Sequence, residues 1–325
     1  MSVVIEEMNM TQLHKTYGIA TQNFTAYPKI PDAGALVDYG VRMEELGFDS
    51  IWVWDHILLG VEPNFPIIDS LTVLTAIAAR TKRIKLGTGI LVLPLRNAVA
   101  LAKQLSSMDQ LSKGRLLMGM ASGWYKREFD AMGIPFEQRG KIMDENLEIL
   151  RRLWTEPLVT GEFTRHNISK AVMYPKPAQE RIPILIGGYV DRVLKRAATV
   201  GDGWLTYFYS PEGFTKSWTK IRNFAKEAGK DPDTLLNASQ LPIYIGKSRA
   251  AVQDKMIDWL NKEWDFPANS DCTRDSAIMG SVDECVAQLK EHIAVGVQKI
   301  IFVPYRYEME QIEIIAREII PRLRA

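Results

Sequence analysis

Between residues 17 and 303 the chain alternates eight times between a short apolar run and a longer periodic segment, and no other feature constrains its fold as tightly. The apolar runs fall at 17–23, 50–54, 84–91, 115–120, 182–186, 203–208, 241–245 and 299–303. Their near-continuous apolar character suits strands of a parallel sheet covered on both faces. The segments between them carry helix grammar. Ser281 with Glu284 three residues on reads as a capping box, Val282, Val286, Leu289 and Ile293 recur at spacings of four and three, and Gly296 offers a left-handed stop. Asp32 before 33–46 and Asp69 before 71–79 open two further helices in the same way. Eight such units with right-handed crossovers close into an α/β (β/α)8 TIM barrel, although a doubly wound open sheet gives a similar pattern.

With 325 residues, 46% of them apolar and 24% charged, one barrel domain over 1–325 is expected. Two stretches are longer than simple repetition needs and are expected as insertions at the carboxyl face. The first, about 155–180, holds Gly, Pro and short alternating pieces that suggest a small hairpin or an extended excursion. The second, about 247–280, holds a helix with Trp259 and Trp264, then Phe266 and an irregular run, read as a lid or as a surface insertion. A net charge of +1 with interspersed signs gives no basic stripe, which sets nucleic acid aside. Cys272 and Cys285 cannot make a disulfide framework, and the first ten residues lack the basic start and apolar core of a secretory signal. Every apolar run falls far short of the roughly 20 residues that cross a bilayer. A cytoplasmic chain with no membrane partner is expected.

Chemistry in such a barrel gathers where the strands end. Leu116, Leu117 and Met118 lead within one loop length to Ser122, Gly123, Trp124 and Glu128. Trp124 and Glu128 are either site residues or a packed aromatic and a helix N-terminal acid. Among the four histidines, His14, His166 and His292 lie away from any strand end, whereas His56 follows Trp54 and Asp55 directly. A histidine there exchanges a proton near neutral pH, or is a loop residue hydrogen-bonded to Asp55 or backbone. Gly187 and Gly188 close a buried strand just before a helix that starts near 190, which suits a phosphate or makes a tight turn with no ligand. Gly87 and Gly89 lack the third glycine of a dinucleotide fingerprint, because position 92 is Val92; they read instead as a bent strand end that a ligand approaches. No ligand-spaced His, Cys or carboxylate set supports a metal, and Ala121 stands where a hydrolase elbow needs serine. Lys85 and Lys299 fall at strand beginnings, which counts against a Schiff-base, aldolase-type barrel.

Taken in order, Trp54-Asp55-His56, Ala78-Ala79-Arg80-Thr81 ahead of Ile84 to Thr88, Leu95-Arg96, Leu111 to Arg115, Gly123-Trp124 with Glu128-Phe129 and Gly133, Ile186-Gly187-Gly188 and Gly201-Asp202-Gly203-Trp204 resemble the bacterial luciferase-like family of flavin- and deazaflavin-dependent oxidoreductases. The resemblance covers most of the chain. It implies a TIM barrel whose carboxyl face holds an isoalloxazine ring, with the phosphate near the fifth strand and helix. It also implies a non-proline cis peptide between Gly89 and Ile90 behind the ring, a catalytic role for His56, and a homodimer.

On that footing the expected function is a monooxygenase using reduced FMN and dioxygen on a small organic substrate. The reduced flavin would come from a separate flavin reductase, since the chain shows no nicotinamide fingerprint. His56 is the expected catalytic residue. Gly89 and Ile90 would support the ring, Asp55, Ser122, Gly123 and Trp124 would line its pocket with Trp54, and Gly187, Gly188 and Tyr189 would donate to the phosphate. The alternative is a deazaflavin-dependent oxidoreductase moving hydride. Some deazaflavin dehydrogenases of the family carry a glutamate where this chain has Trp124, while other relatives share the Gly-Trp pattern. A third reading is a non-catalytic flavin-binding protein.

Overall fold

The computed structural model describes residues 15–62, 64–263 and 276–325, so His14, Trp264, Phe266 and Cys272 lie outside the described residues. Eight parallel strands form the barrel: β1 (Thr16–Thr21), β2 (Ser50–Val53), β3 (Lys85–Val92), β4 (Leu116–Ala121), β7 (Ile184–Gly187), β8 (Gly203–Tyr207), β9 (Leu236–Ile245) and β11 (Lys299–Pro304). Each pairs with the next in that order, and pairing of β11 with β1 closes the ring. The pattern that left an open sheet available therefore resolves to the (β/α)8 barrel.

Side-chain alternation divides two layers. Ala20, Trp52, Leu117, Leu185, Leu205, Ala238 and Ile301 fill the interior, while Ile51, Met118, Ile184 and Phe302 meet the helices outside. The helices start as their caps dictate. Asp32 accepts from Ala35 N–H ahead of α1 (Ala33–Glu45), and Asp69 accepts from Thr72 N–H ahead of α2 (Ser70–Arg80). The ring of helices continues with α3 (Ala98–Ser112), α4 (Lys126–Ala131), α5 (Arg139–Thr155), α6 (Asp191–Thr199) and α7 (Pro211–Glu227). After α8 (Arg249–Glu263), the full capping box of Ser281 and Glu284 opens α9 (Val282–Ala294). α10 (Met309–Ile314) passes into a π-helical turn, Ile315–Ile319.

The structure differs from the sequence reading in two places. β9 begins at Leu236, five residues before the apolar run, because Asn237, Ser239 and Gln240 are buried polar residues that interrupt the pattern. β10 (Ile278–Gly280) adds a short parallel strand beside the end of β9. The first insertion is the expected hairpin, β5 (Val159–Glu162) against β6 (Asn167–Ala171). In the second, Trp259 is buried on α8 and packs edge-on against Tyr305 at 5.4 Å.

The amino-terminal end of the barrel is a sealed polar plug. Lys299 Nζ donates to Thr16 Oγ1 at 2.6 Å and to Ser50 Oγ at 3.4 Å, and burial pushes its ammonium down to about 8. Lys85 Nζ donates to the Gly114 carbonyl. Both lysines stay at the end away from the candidate site. No helix among the described residues is long and apolar enough to cross a membrane.

Candidate active site

His56 sits just beyond the end of β2, and its Nδ1 lies 2.9 Å from Oε2 of Glu128 on α4. Glu128 is fully buried, and its Oε1 accepts from the backbone N–H of Ile57 at 2.5 Å and of Leu58 at 2.9 Å. A carboxylate only accepts, so Nδ1 carries the proton in the neutral ring and Nε2 is left as the acceptor. One acid thus fixes both the loop after β2 and the tautomer of its histidine. The Trp124 ring stands edge-on to His56 at 5.9 Å and is half exposed.

Asp55 does not join this group. Its carboxylate accepts from Ser70 Oγ at 2.7 Å, Val92 N–H at 2.9 Å and Arg96 Nη2 at 2.5 Å. Arg96 also pairs with Asp69 at 2.9 Å. Asp55 is committed to a buried network that ties the loop after β2 to the end of β3 and to α2.

The peptide between Gly89 and Ile90 is cis, as the resemblance implied, and the pairing of β3 with β4 shifts register between Thr88 and Leu91. Ile90 crosses the mouth of the barrel to β7. A Cβ on Gly187 would lie 2.2 Å from Ile90 Cδ1, so only glycine lets the two strands meet there. Beneath the bulge, the Gln240 amide lies against Gly89, 3.2 Å from where a Cβ would be placed. Both of its polar atoms are buried without a hydrogen-bond partner among the described residues.

A cationic corner forms beyond β4 and β7. Gly123 has φ +80°, and a Cβ there would strike Val92 and the Phe129 ring, so the loop turns tightly toward α5. Arg139, at the start of α5, donates to the Gly123 carbonyl at 3.2 Å and lies over the Phe136 ring at 3.8 Å. Burial and then the nearby Arg192 guanidinium push Arg139 below its ordinary value. Arg192 belongs to the first turn of α6, whose N-cap Val190 gives no side-chain cap; Gly188 precedes it, while Asp191 is paired outward with Lys220 at 2.7 Å. Two guanidiniums beside an uncapped helix start suit a phosphate. Ser122 is half-buried on the same loop as Gly123. The Tyr189 hydroxyl donates to the Tyr207 carbonyl at 2.7 Å, and its ring stacks on Tyr209 at 4.8 Å.

The opposite side is aromatic. Trp54, Tyr207, Tyr244 and Tyr307 are partly buried against the interior cluster at the strand ends. Trp54 Nε1 donates to Tyr307 Oη at 3.1 Å, and Tyr244 stacks on Tyr305 at 3.9 Å. No group of three or more metal-ligating side chains occurs among the described residues.

A model of the luciferase-like monooxygenase family matches residues 14–299. The chain belongs to that family. An F420-dependent glucose-6-phosphate dehydrogenase of Amycolatopsis mediterranei is 26% identical over 317 residues, 89% of this chain and 94% of that protein. A 5,10-methylenetetrahydromethanopterin reductase of Methanolobus tindarius is 31% identical over 215 residues, 66% of this chain and 63% of that protein. In fold, the chain resembles an F420-dependent secondary alcohol dehydrogenase, with TM-score 0.84 at 20% identity over 96% of this chain and all of that one. It also resembles a monooxygenase from Streptomyces bottropensis, with TM-score 0.81 at 24% identity over 95% of this chain and 98% of that one.

In this luciferase-like chain the structure brings His56 and Trp124 together and places Gly89, Ile90 and Gly187 at one crossing. Gly123 and Gly188 flank the cationic corner. Glu128 has its partners 70 and more positions earlier, so the helix-start reading hid its reach to His56. Arg139, Arg192, Gln240 and Tyr307 were not singled out. The unsatisfied start of α6 was the signal that pointed toward two of them.

Proposed function

We propose that this oxidoreductase moves a hydride between a deazaflavin coenzyme and a small organic substrate. The carrying observation is the His56–Glu128 pair at the end of β2, in a barrel whose Ile90 crosses over Gly187 and whose helices α5 and α6 carry Arg139 and Arg192 in their first turns. The names of the curated relatives support the deazaflavin ahead of reduced FMN. The site fits such a group: the cis peptide after Gly89 bulges β3 at the barrel mouth over the Gln240 amide, which has no partner among the described residues, and Arg139 and Arg192 with the start of α6 suit its phosphate.

When bound, the coenzyme supplies a two-electron hydride carrier. The chain supplies position and proton management. Ile90 would back the ring, with Gly89 at its edge. Gly123 and Gly188 would let the backbone approach the phosphate. His56 Nε2, the acceptor left by Glu128, would take the proton of a substrate hydroxyl or return it to a carbonyl. Trp124 and Trp54 would exclude water from that exchange. Asp55 would act through position alone, fixing the loop that carries His56.

A reduced-FMN monooxygenase served by a separate reductase is the second reading, favoured by Trp124 standing where some deazaflavin dehydrogenases of the family carry glutamate. Titration of the purified protein with the deazaflavin coenzyme and with FMN separates the two. The expected result is at least tenfold tighter binding of the deazaflavin, about 1.4 kcal/mol. Equal or tighter FMN binding would reverse the order.

A further inference from the structure

We infer that Gln240 reads the polar edge of the coenzyme ring, its carboxamide pairing side by side with a carbonyl and the adjoining N–H of that edge. This rests on the reading above, in which the ring lies over Ile90 with Gly89 at its edge.

Gln240 stands on β9 two residues beyond Ala238, so its side chain shares the interior face of the barrel. That interior is otherwise packed with Trp52, Leu117, Leu185, Leu205 and Ile301. The residue is 1% exposed, and neither Oε1 nor Nε2 has a hydrogen-bond partner among the described residues. Thr206 and Ser239 also bury hydroxyls without such partners, but they pair in register one position away and face the outer layer, away from the mouth. Gln240 carries its unmet demand inward. Its amide lies against Gly89, where the pairing of β3 with β4 shifts register, and a Cβ at 89 would stand 3.2 Å from Oε1 and 3.4 Å from Nε2. Glycine there lets the amide come close beneath the bulge.

A buried amide left unpaired carries a desolvation penalty that a leucine of similar shape avoids. The penalty is lifted when a group of matching chemistry fills the site. No hydrogen bond holds the amide, and the last torsion of glutamine is broad, so it can turn to meet that group. A carboxamide offers an acceptor oxygen next to an N–H donor, and it is uncharged, so it pairs without a change of protonation. The pyrimidinedione edge of a deazaflavin or flavin ring presents the complement, a carbonyl beside an N–H. A substrate hydroxyl or ketone would satisfy only half of the amide. Because both ring types share this edge, the inference holds for either coenzyme.

Calorimetric titration of the full chain with 5-deaza-FMN and with its N3-methyl derivative tests the inference. The unaltered protein is expected to bind 5-deaza-FMN at least tenfold more tightly, because the methylated ring has no N–H to donate. In Gln240→Leu and Gln240→Met that ratio should fall below threefold, and either variant decides the matter if the other does not fold. A methyl excluded by bulk alone is excluded by these side chains too, so an unchanged ratio in the variants overturns the inference, as does a ratio near one in the unaltered protein. The rise in melting temperature on adding 5-deaza-FMN should also be at least halved in Gln240→Leu, whereas an amide that merely packs leaves it the same. Absence of uptake of either ring by the unaltered protein would sink the coenzyme reading and this inference with it. Uptake with the methyl distinction surviving in the variants sinks this inference alone.

Discussion

Cδ1 of Ile90 occupies the space that a side chain on Gly187 would need, at a separation of 2.2 Å. The two strands meet there because one residue projects and the other has nothing to project. Gly187→Ala should push Ile90 out of the crossing, lower the melting temperature by several degrees and weaken ring binding at least tenfold. Ile90→Val removes the offending atom, so the double variant should recover more than half of the lost affinity. Additive losses, read by coenzyme titration of all four proteins, would show that the contact is not what links them.

Glu128→Gln keeps an oxygen for the Ile57 and Leu58 amides but turns an N–H group toward His56. Nδ1 must then accept, and the ring proton moves to Nε2, the wrong atom for taking a proton from substrate. Turnover should fall about 10²- to 10⁴-fold, as for loss of a general base. Coenzyme affinity should stay within threefold. Single-turnover kinetics with a titration of the same variant would check both, and unchanged turnover would remove the pair from the chemistry.

His292 is buried on α9 with no partner for Nδ1 among the described residues, and burial pushes it from its ordinary 6.5 down to about 4. Above pH 6.5 neither folded nor unfolded chain holds the proton, so the residue costs nothing. Between 6.5 and 4 the unfolded chain takes up a proton that the fold refuses, and stability falls by up to about 3 kcal/mol. His292→Leu should flatten that acid limb. Urea midpoints at pH 7 and pH 4.5 measure it, and an equally steep limb in the variant would assign the loss elsewhere.

Gln240 buries an amide whose oxygen and nitrogen both lack partners among the described residues. Replacing an unpaired buried polar group by an apolar one of similar shape removes a desolvation penalty. Gln240→Leu should therefore raise the stability of the coenzyme-free protein by about 1 kcal/mol. A fall in its melting temperature would mean that the amide has a partner in solution.

The barrel was legible in the sequence because strands buried on both faces leave apolar runs that need no partner to be recognised. Where a strand carries polar residues inward or outward, as Asn237, Ser239 and Gln240 do, the run breaks and the strand start is read late. β10 is three residues long, too short for any pattern to register. The candidate site is legible where local grammar marks a strand end, at His56 after β2 and at the glycines before α6. It was hidden where function depends on contacts between distant segments. Nothing near Glu128 announces a histidine 72 positions away, and nothing near Asp55 announces that Arg96 will claim it.

The Asp55 carboxylate joins the segment bearing the histidine to the end of the strand that carries Ile90. His56 and Ile90 are therefore registered against one another by a single internal anchor, and neither segment can drift alone. The loops after β8, β9 and β11 make no hydrogen bond to that carboxylate, so their sequences can change without loosening it.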